Sequence, residues 1–113
     1  MQFLFKSRHP HAVEFRDLTE QRVRFVFRRL GQLIPHAEVQ LSDVNGPRGG
    51  IDKRCQVKLQ AQGIGPVVVA SVATDWRTAL DQALARAIRF LMRMRRRSRD
   101  PRREQRLRLR LDS

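Results

Sequence analysis

Arginine dominates the chemistry available to this chain. Arg86, Arg89, Arg93, Arg96 and Arg97 recur three or four residues apart. At about 100° per residue, that spacing gathers them on one side of a helix. A guanidinium is a planar fork that donates two parallel hydrogen bonds, a geometry suited to phosphate. The ordinary alternative is a solvated helix face, on which carboxylates at i±4 balance the cations. Between Arg86 and Arg99 there is no Asp or Glu. Twelve of the 24 Lys and Arg residues fall between Arg86 and Arg110, and all twelve are arginine. The pattern therefore predicts a surface that binds a polyanion.

Further basic residues are more ambiguous. Arg24 and Arg28 fall on the outer side of an earlier helical segment, where phosphate contact and plain solvation are equally good readings. Glu20 stands four residues before Arg24 and can pair with it. Arg22 and Arg29 flank the apolar stripe of that segment. Lys53, Arg54 and Lys58 could form a second patch near an open sheet face, although solvation of that face is the better reading of them.

Other reactive types give little. His9, His11 and His36 have no carboxylate partner at a motif spacing, and two of them flank Pro10. No catalytic site, metal site or cofactor is expected. Cys55 is the lone cysteine, so no intramolecular disulfide can form. It alternates with inward residues and reads as a small core residue. Gly46-Pro47-Arg48-Gly49 matches a backbone-clamping GxxG, but a loop between two strands suits a hairpin turn better. Tyrosine is absent, and the phenylalanines mostly take core spacings. Recognition of shape and phosphate is thus expected rather than stacking of splayed bases.

The elements that must position these residues follow from periodicity. Residues 2–8 open as a strand on Phe3 and Phe5. A helix is expected from about Glu14, with Phe15, Leu18, Val23, Val26, Phe27, Leu30, Leu33 and Ile34 on its apolar side, stopping between Gly31 and Pro35. Residues 36–45 alternate as a second strand, and Asn45 to Gly50 form a turn cluster. Cys55, Val57, Leu59 and Ala61 alternate with polar residues as a third strand. Gly63-Ile64-Gly65-Pro66 turns the chain into a β-branched run, Val67–Ala73. Thr74 or Asp75 caps a last helix reaching about Arg97, with Trp76, Ala79, Leu80, Ala83, Ala87, Leu91 and Met94 as its apolar stripe. The expected fold class is α+β: a β-α-β-β-β-α chain with a four-stranded mixed sheet and both helices packed on one face. The first crossover should be right-handed, leaving strands one and two parallel. Residues 1–97 form one domain, and 98–113 are expected to be a basic, flexible tail ending in alternating Arg and Leu.

Composition sets the partner class. The 113 residues carry a formal net charge of +13 and a pI near 11.8. Such charge repels itself in a compact state unless a polyanion offsets it. Nucleic acid is the first candidate and an anionic membrane surface the second. No stretch approaches the roughly 20 apolar residues of a membrane span, and no signal peptide is recognisable. A cytoplasmic location is therefore expected.

Over roughly residues 1–97 the chain resembles the ribosome-associated translation inhibitors, or hibernation-promoting factors. Three features carry the resemblance. The longest is Leu41-Ser42-Asp43-Val44-Asn45-Gly46-Pro47-Arg48-Gly49-Gly50-Ile51-Asp52-Lys53-Arg54-Cys55, similar to the connection between the second and third strands in one branch of that family. Another is Asp75 to Arg97, with its aspartate start, Ala79, Asp81 and Ala83, and a basic end. The βαβββα order is the third.

The resemblance implies a non-enzymatic factor that binds the small ribosomal subunit between head and body and covers the decoding region. It would exclude mRNA and tRNA and protect idle ribosomes under stress. Carried residue by residue, it implies rRNA contact by Arg86, Arg89, Arg93 and Arg96, then Arg24 and Arg28. Lys53 and Arg54 match its motif. Residues 98–113 are too few for the ribosome-pairing domain of long members, so a short form, monomeric when free, is expected. The Arg/Leu tail matches nothing in the family pattern. The rival readings are a general RNA chaperone, a regulatory adaptor that docks a partner through its tail, and an RNA-directed enzyme using His9, His11 and Asp43. Equal affinity for naked RNA and for subunits, dependence on the tail, or turnover would respectively distinguish them.

Overall fold

In the computed structural model, which describes residues 1–44 and 52–98, the first strand, β1 (Gln2–Ser7), alternates half-buried Phe3 and Phe5 with exposed Gln2, Leu4 and Lys6. Pro10 ends it, and a 3-10 turn over Ala12–Phe15 leads into α1 (Arg16–Val26). A second 3-10 segment, Arg28–Leu33, carries the chain to β2 (His36–Asp43). Strand β3 (Lys53–Ala61) and β4 (Gly65–Ala73) form a hairpin, and α2 (Trp76–Ser98) closes the described chain.

The sheet order is β1-β2-β3-β4. Strand β1 pairs parallel with β2, as the crossover requires, and the later pairs are antiparallel. The register puts Phe5, Val39, Val57 and Val69 in one row across the sheet, and Phe3, Ala37, Leu59 and Val67 in the next. Because side chains alternate along a strand, these rows face the helices. Glu38, Lys58 and Val68 share the opposite, solvated face with Leu4. One apolar cluster joins the inward rows to Val23 of α1, to Phe27 just after it, and to Ala79, Leu80, Ala83, Leu84, Ala87 and Leu91 of α2. Both helices therefore cover the same face, as the patterning predicts. Tight turning between β3 and β4 rests on Gly63 and Gly65, whose φ values of 80° and 101° suit glycine.

One expected element differs. The first helix is not continuous from Glu14 to the region of Gly31; it is an α-helix between two 3-10 segments. The physical reason lies in burial spacing. Phe27 and Leu30 are both buried, and Leu30 N–H donates to the Phe27 carbonyl at 2.9 Å. A 3-10 turn brings residues three apart onto one side, so the tighter winding turns Leu30 inward beside Phe27. The last helix begins as expected, with Asp75 rather than Thr74 as its cap. Thr78 N–H donates to Asp75 Oδ1 at 2.7 Å, and Thr78 Oγ1 lies 3.0 Å from Asp75 Oδ2.

Candidate nucleic-acid interface

The arginine face of α2 is built by what lies beneath it. Ala79, Ala83 and Ala87 are fully buried, so small side chains let the helix sit close over β3 and β4. Its opposite side is thereby turned to solvent, and Arg86, Arg89, Arg93, Arg96 and Arg97 are all exposed there. Arg86 Nη1 donates to the Ala70 carbonyl of β4 at 2.9 Å, and Arg89 Nε to the Ala85 carbonyl at 3.1 Å. Each bond anchors a guanidinium through one nitrogen and leaves its remaining donors to solvent. No carboxylate pairs with these five arginines among the described residues. Arg95, Arg96 and Arg97 occupy the last turn, where the negative end of the helix dipole favours cations.

The arginines of α1 are placed differently. Arg16 lies 3.1 Å from Asp17, and Arg24 lies 3.2 Å from Glu20, the i,i+4 pair expected from sequence. Arg22 donates Nε and Nη2 to Asp81 Oδ1 of α2, at 3.1 and 2.6 Å. That bridge, not legible from local spacing because its partners stand 59 residues apart, ties the two helices edge to edge. Arg24 also reaches the Met1 carbonyl at 3.3 Å. Arg28 donates Nη1 to the Phe25 carbonyl at 2.8 Å, and its guanidinium carbon lies 4.1 Å from the centre of the Phe25 ring.

Lys53 and Arg54 separate. Lys53 points to the helix side at the sheet corner, with Nζ 2.7 Å from Asp43 and 3.4 Å from Asp52. It also lies 5.1 Å from the Trp76 ring centre. The Asp43 hydrogen bond, reinforced by both carboxylate charges, holds its ammonium protonated above the ordinary lysine range. Arg54 falls on the solvated sheet face, away from the helices. The structure thus gathers the α2 arginines on one surface, places Arg24 and Arg28 on the neighbouring helix segment, and leaves Lys53 and Arg54 apart from both. Of the Leu41–Cys55 segment, residues 45–51, including the Gly46–Gly49 loop, lie outside the described residues, as do 99–113 of the expected tail.

His9 packs its ring 5.1 Å from that of Trp76, and Trp76 Nε1 donates to the Ser42 carbonyl at 3.1 Å. No cluster able to hold a metal occurs among the described residues. Cys55 is fully buried, and desolvation pushes its thiol up to about 12. Two residues escaped the sequence patterns. Leu84 is only 1% exposed although it lay outside the expected stripe, and Phe25 is 60% exposed. The position of Phe25 was readable in principle: two residues from Val23 and two from Phe27, it falls opposite the buried side of a 3.6-period helix.

A basic helical surface on a βαβββα scaffold is the class of object these observations define. No protein-family model matches the chain, and no curated protein matches it. Among solved structures it is similar to the N-terminal domain of Protein Y from Thermus thermophilus. The TM-score is 0.63 at 23% identity, over 83% of this chain and 97% of that one. At that identity the likeness is one of fold. No helix among the described residues is long and apolar enough to cross a membrane.

Proposed function

We propose that this protein is a ribosome-associated translation inhibitor of the hibernation type, binding rRNA of the small subunit through α2 and obstructing the decoding channel. The observation that carries the reading is the contrast between the helices. Arginines of α1 are engaged by carboxylates, whereas Arg86, Arg89, Arg93, Arg96 and Arg97 of α2 stand exposed with no carboxylate partner among the described residues. The segments that resemble the hibernation factors supply the ribosomal address, and the fold shared with the Protein Y domain is consistent with it. Inhibition on this reading is steric and needs no catalysis. The arginines anchor the domain by neutralising phosphates, and its rigid bulk excludes mRNA and tRNA. The protein acts in the cytoplasm, under slow growth or stress, as a monomer until bound.

Replacing Arg86, Arg89, Arg93 and Arg96 together by glutamine tests this reading. All four are exposed, so the variant should keep its circular dichroism spectrum and unfolding midpoint. Its affinity for purified small subunits should fall by at least a hundredfold at moderate salt, since each lost phosphate contact also removes counterion release. A folded variant that binds subunits like the parent would refute the assignment to α2.

A further inference from the structure

The exposure of Phe25 has no role in the fold. The ring projects from the side of α1 opposite Val23 and Phe27, both fully buried, so it packs into no core. Its surroundings are cationic. Arg28 lies against the ring at 4.1 Å and is held there by its hydrogen bond to the Phe25 carbonyl. Arg24 and Arg29 are exposed beside it in sequence. Leu4, Val68 and Val72, the exposed aliphatics of the sheet, lie on its solvated face instead.

A flat ring, one guanidinium already stacked and further cations at hand match an unpaired nucleotide, which brings a π-face and a phosphate together. An apolar protein partner would cover the ring only by desolvating the Arg28 guanidinium stacked on it as well, a costly burial. The Arg22–Asp81 bridge joins α1 to α2, so ring and arginine face belong to one helical layer turned away from the sheet.

We infer that Phe25 and Arg28 form a stacking platform for a single unpaired RNA base, on the helical layer that also carries the exposed arginines of α2. The inference rests on the RNA-binding reading and adds a base contact to a surface otherwise expected to recognise shape and charge alone.

Two labelled oligomers of equal length and charge provide the test: oligoadenylate and its abasic ribose-phosphate counterpart. Binding is read by fluorescence anisotropy for the parent, for Phe25→Leu and for the four-arginine glutamine variant. The parent should prefer oligoadenylate by roughly fivefold to a hundredfold, the range for one stacked base. Phe25→Leu, which keeps an apolar side chain on an exposed position, should lose that preference and keep its affinity for the abasic chain. The arginine variant should lose affinity for both oligomers. In a second readout, emission from a Phe25→Trp variant should be quenched by oligoadenylate and not by the abasic chain, over the constant background of buried Trp76. An unchanged base preference in Phe25→Leu overturns the platform and leaves phosphate binding standing. So does an equal affinity of the parent for the two oligomers. If Phe25→Leu instead binds whole subunits more weakly with its oligomer preference intact, the ring docks on protein and the inference fails. Failure of the parent to bind either oligomer overturns the platform together with the RNA reading.

Discussion

Single residues carry two separable kinds of charge in this protein, structural and available. Asp75 is structural. Its carboxylate accepts from the Thr78 backbone N–H and from the Thr78 hydroxyl, and these bonds hold its pKa below the ordinary value of 3.8. A carboxyl depressed in the folded state stabilises above its unfolded pKa, and that contribution disappears as pH falls through the folded one. Asp75→Asn keeps a capping side chain and removes the titration. Urea titrations between about pH 5 and pH 2 should therefore show a shallower loss of stability in the variant than in the parent; parallel curves would contradict the cap assignment. Cys55 reports a different property. Burial both hides its thiol and pushes it up to about 12, so alkylation must wait for opening of the sheet. Mass spectrometry at pH 8 should find iodoacetamide labelling at least about a thousandfold slower in the folded protein than in urea. Comparable rates would mean that the β2-β3-β4 core is not the stable unit described here.

At the scale of elements, the strands were the most legible from sequence. Strict alternation of Cys55, Val57, Leu59 and Ala61 specifies which face of β3 is buried, and with it the registers of β2 and β4. The first helix was less legible, because the same apolar residues satisfy both α and 3-10 winding locally. Packing of Leu30 beside Phe27 decides between them, and that packing is tertiary. The inter-helix bridge was invisible for a similar reason: nothing near Arg22 in sequence names Asp81. Its side chains are 37% and 40% exposed, so solvent screens it. A double-mutant cycle of Arg22→Ala and Asp81→Ala should give a coupling energy of only about 0.2–1 kcal/mol. A coupling well above that range would make the bridge a principal fastening of α1, a role assigned here to Val23, Phe27 and Leu30. The candidate interface was legible in its arginine periodicity. The Glu20–Arg24 pair was legible from its spacing, but sequence alone could not show that Arg22 is engaged by Asp81, that Lys53 is enclosed by Asp43 and Asp52, or that Arg54 faces the other way. Each of those depends on which residues the fold makes neighbours.

For the whole molecule, the formal net charge of +13 on 113 residues is distributed unevenly. The sheet and α1 carry both signs, several of them in pairs, whereas the end of α2 carries one sign. Such a surface should bind by counterion release. Five neutralised phosphates predict log affinity falling against log salt with a slope of about −3.5 to −4.5. A general RNA chaperone would show the same slope, so salt dependence alone does not test the central claim; stoichiometry and address do. The most direct measurement is sedimentation of the purified protein with separated ribosomal subunits through sucrose gradients at low and high salt. The account predicts co-migration with the small subunit at about one copy per particle, weakened at high salt. Absence of co-migration at low salt, or many copies spread over both subunits, would contradict it.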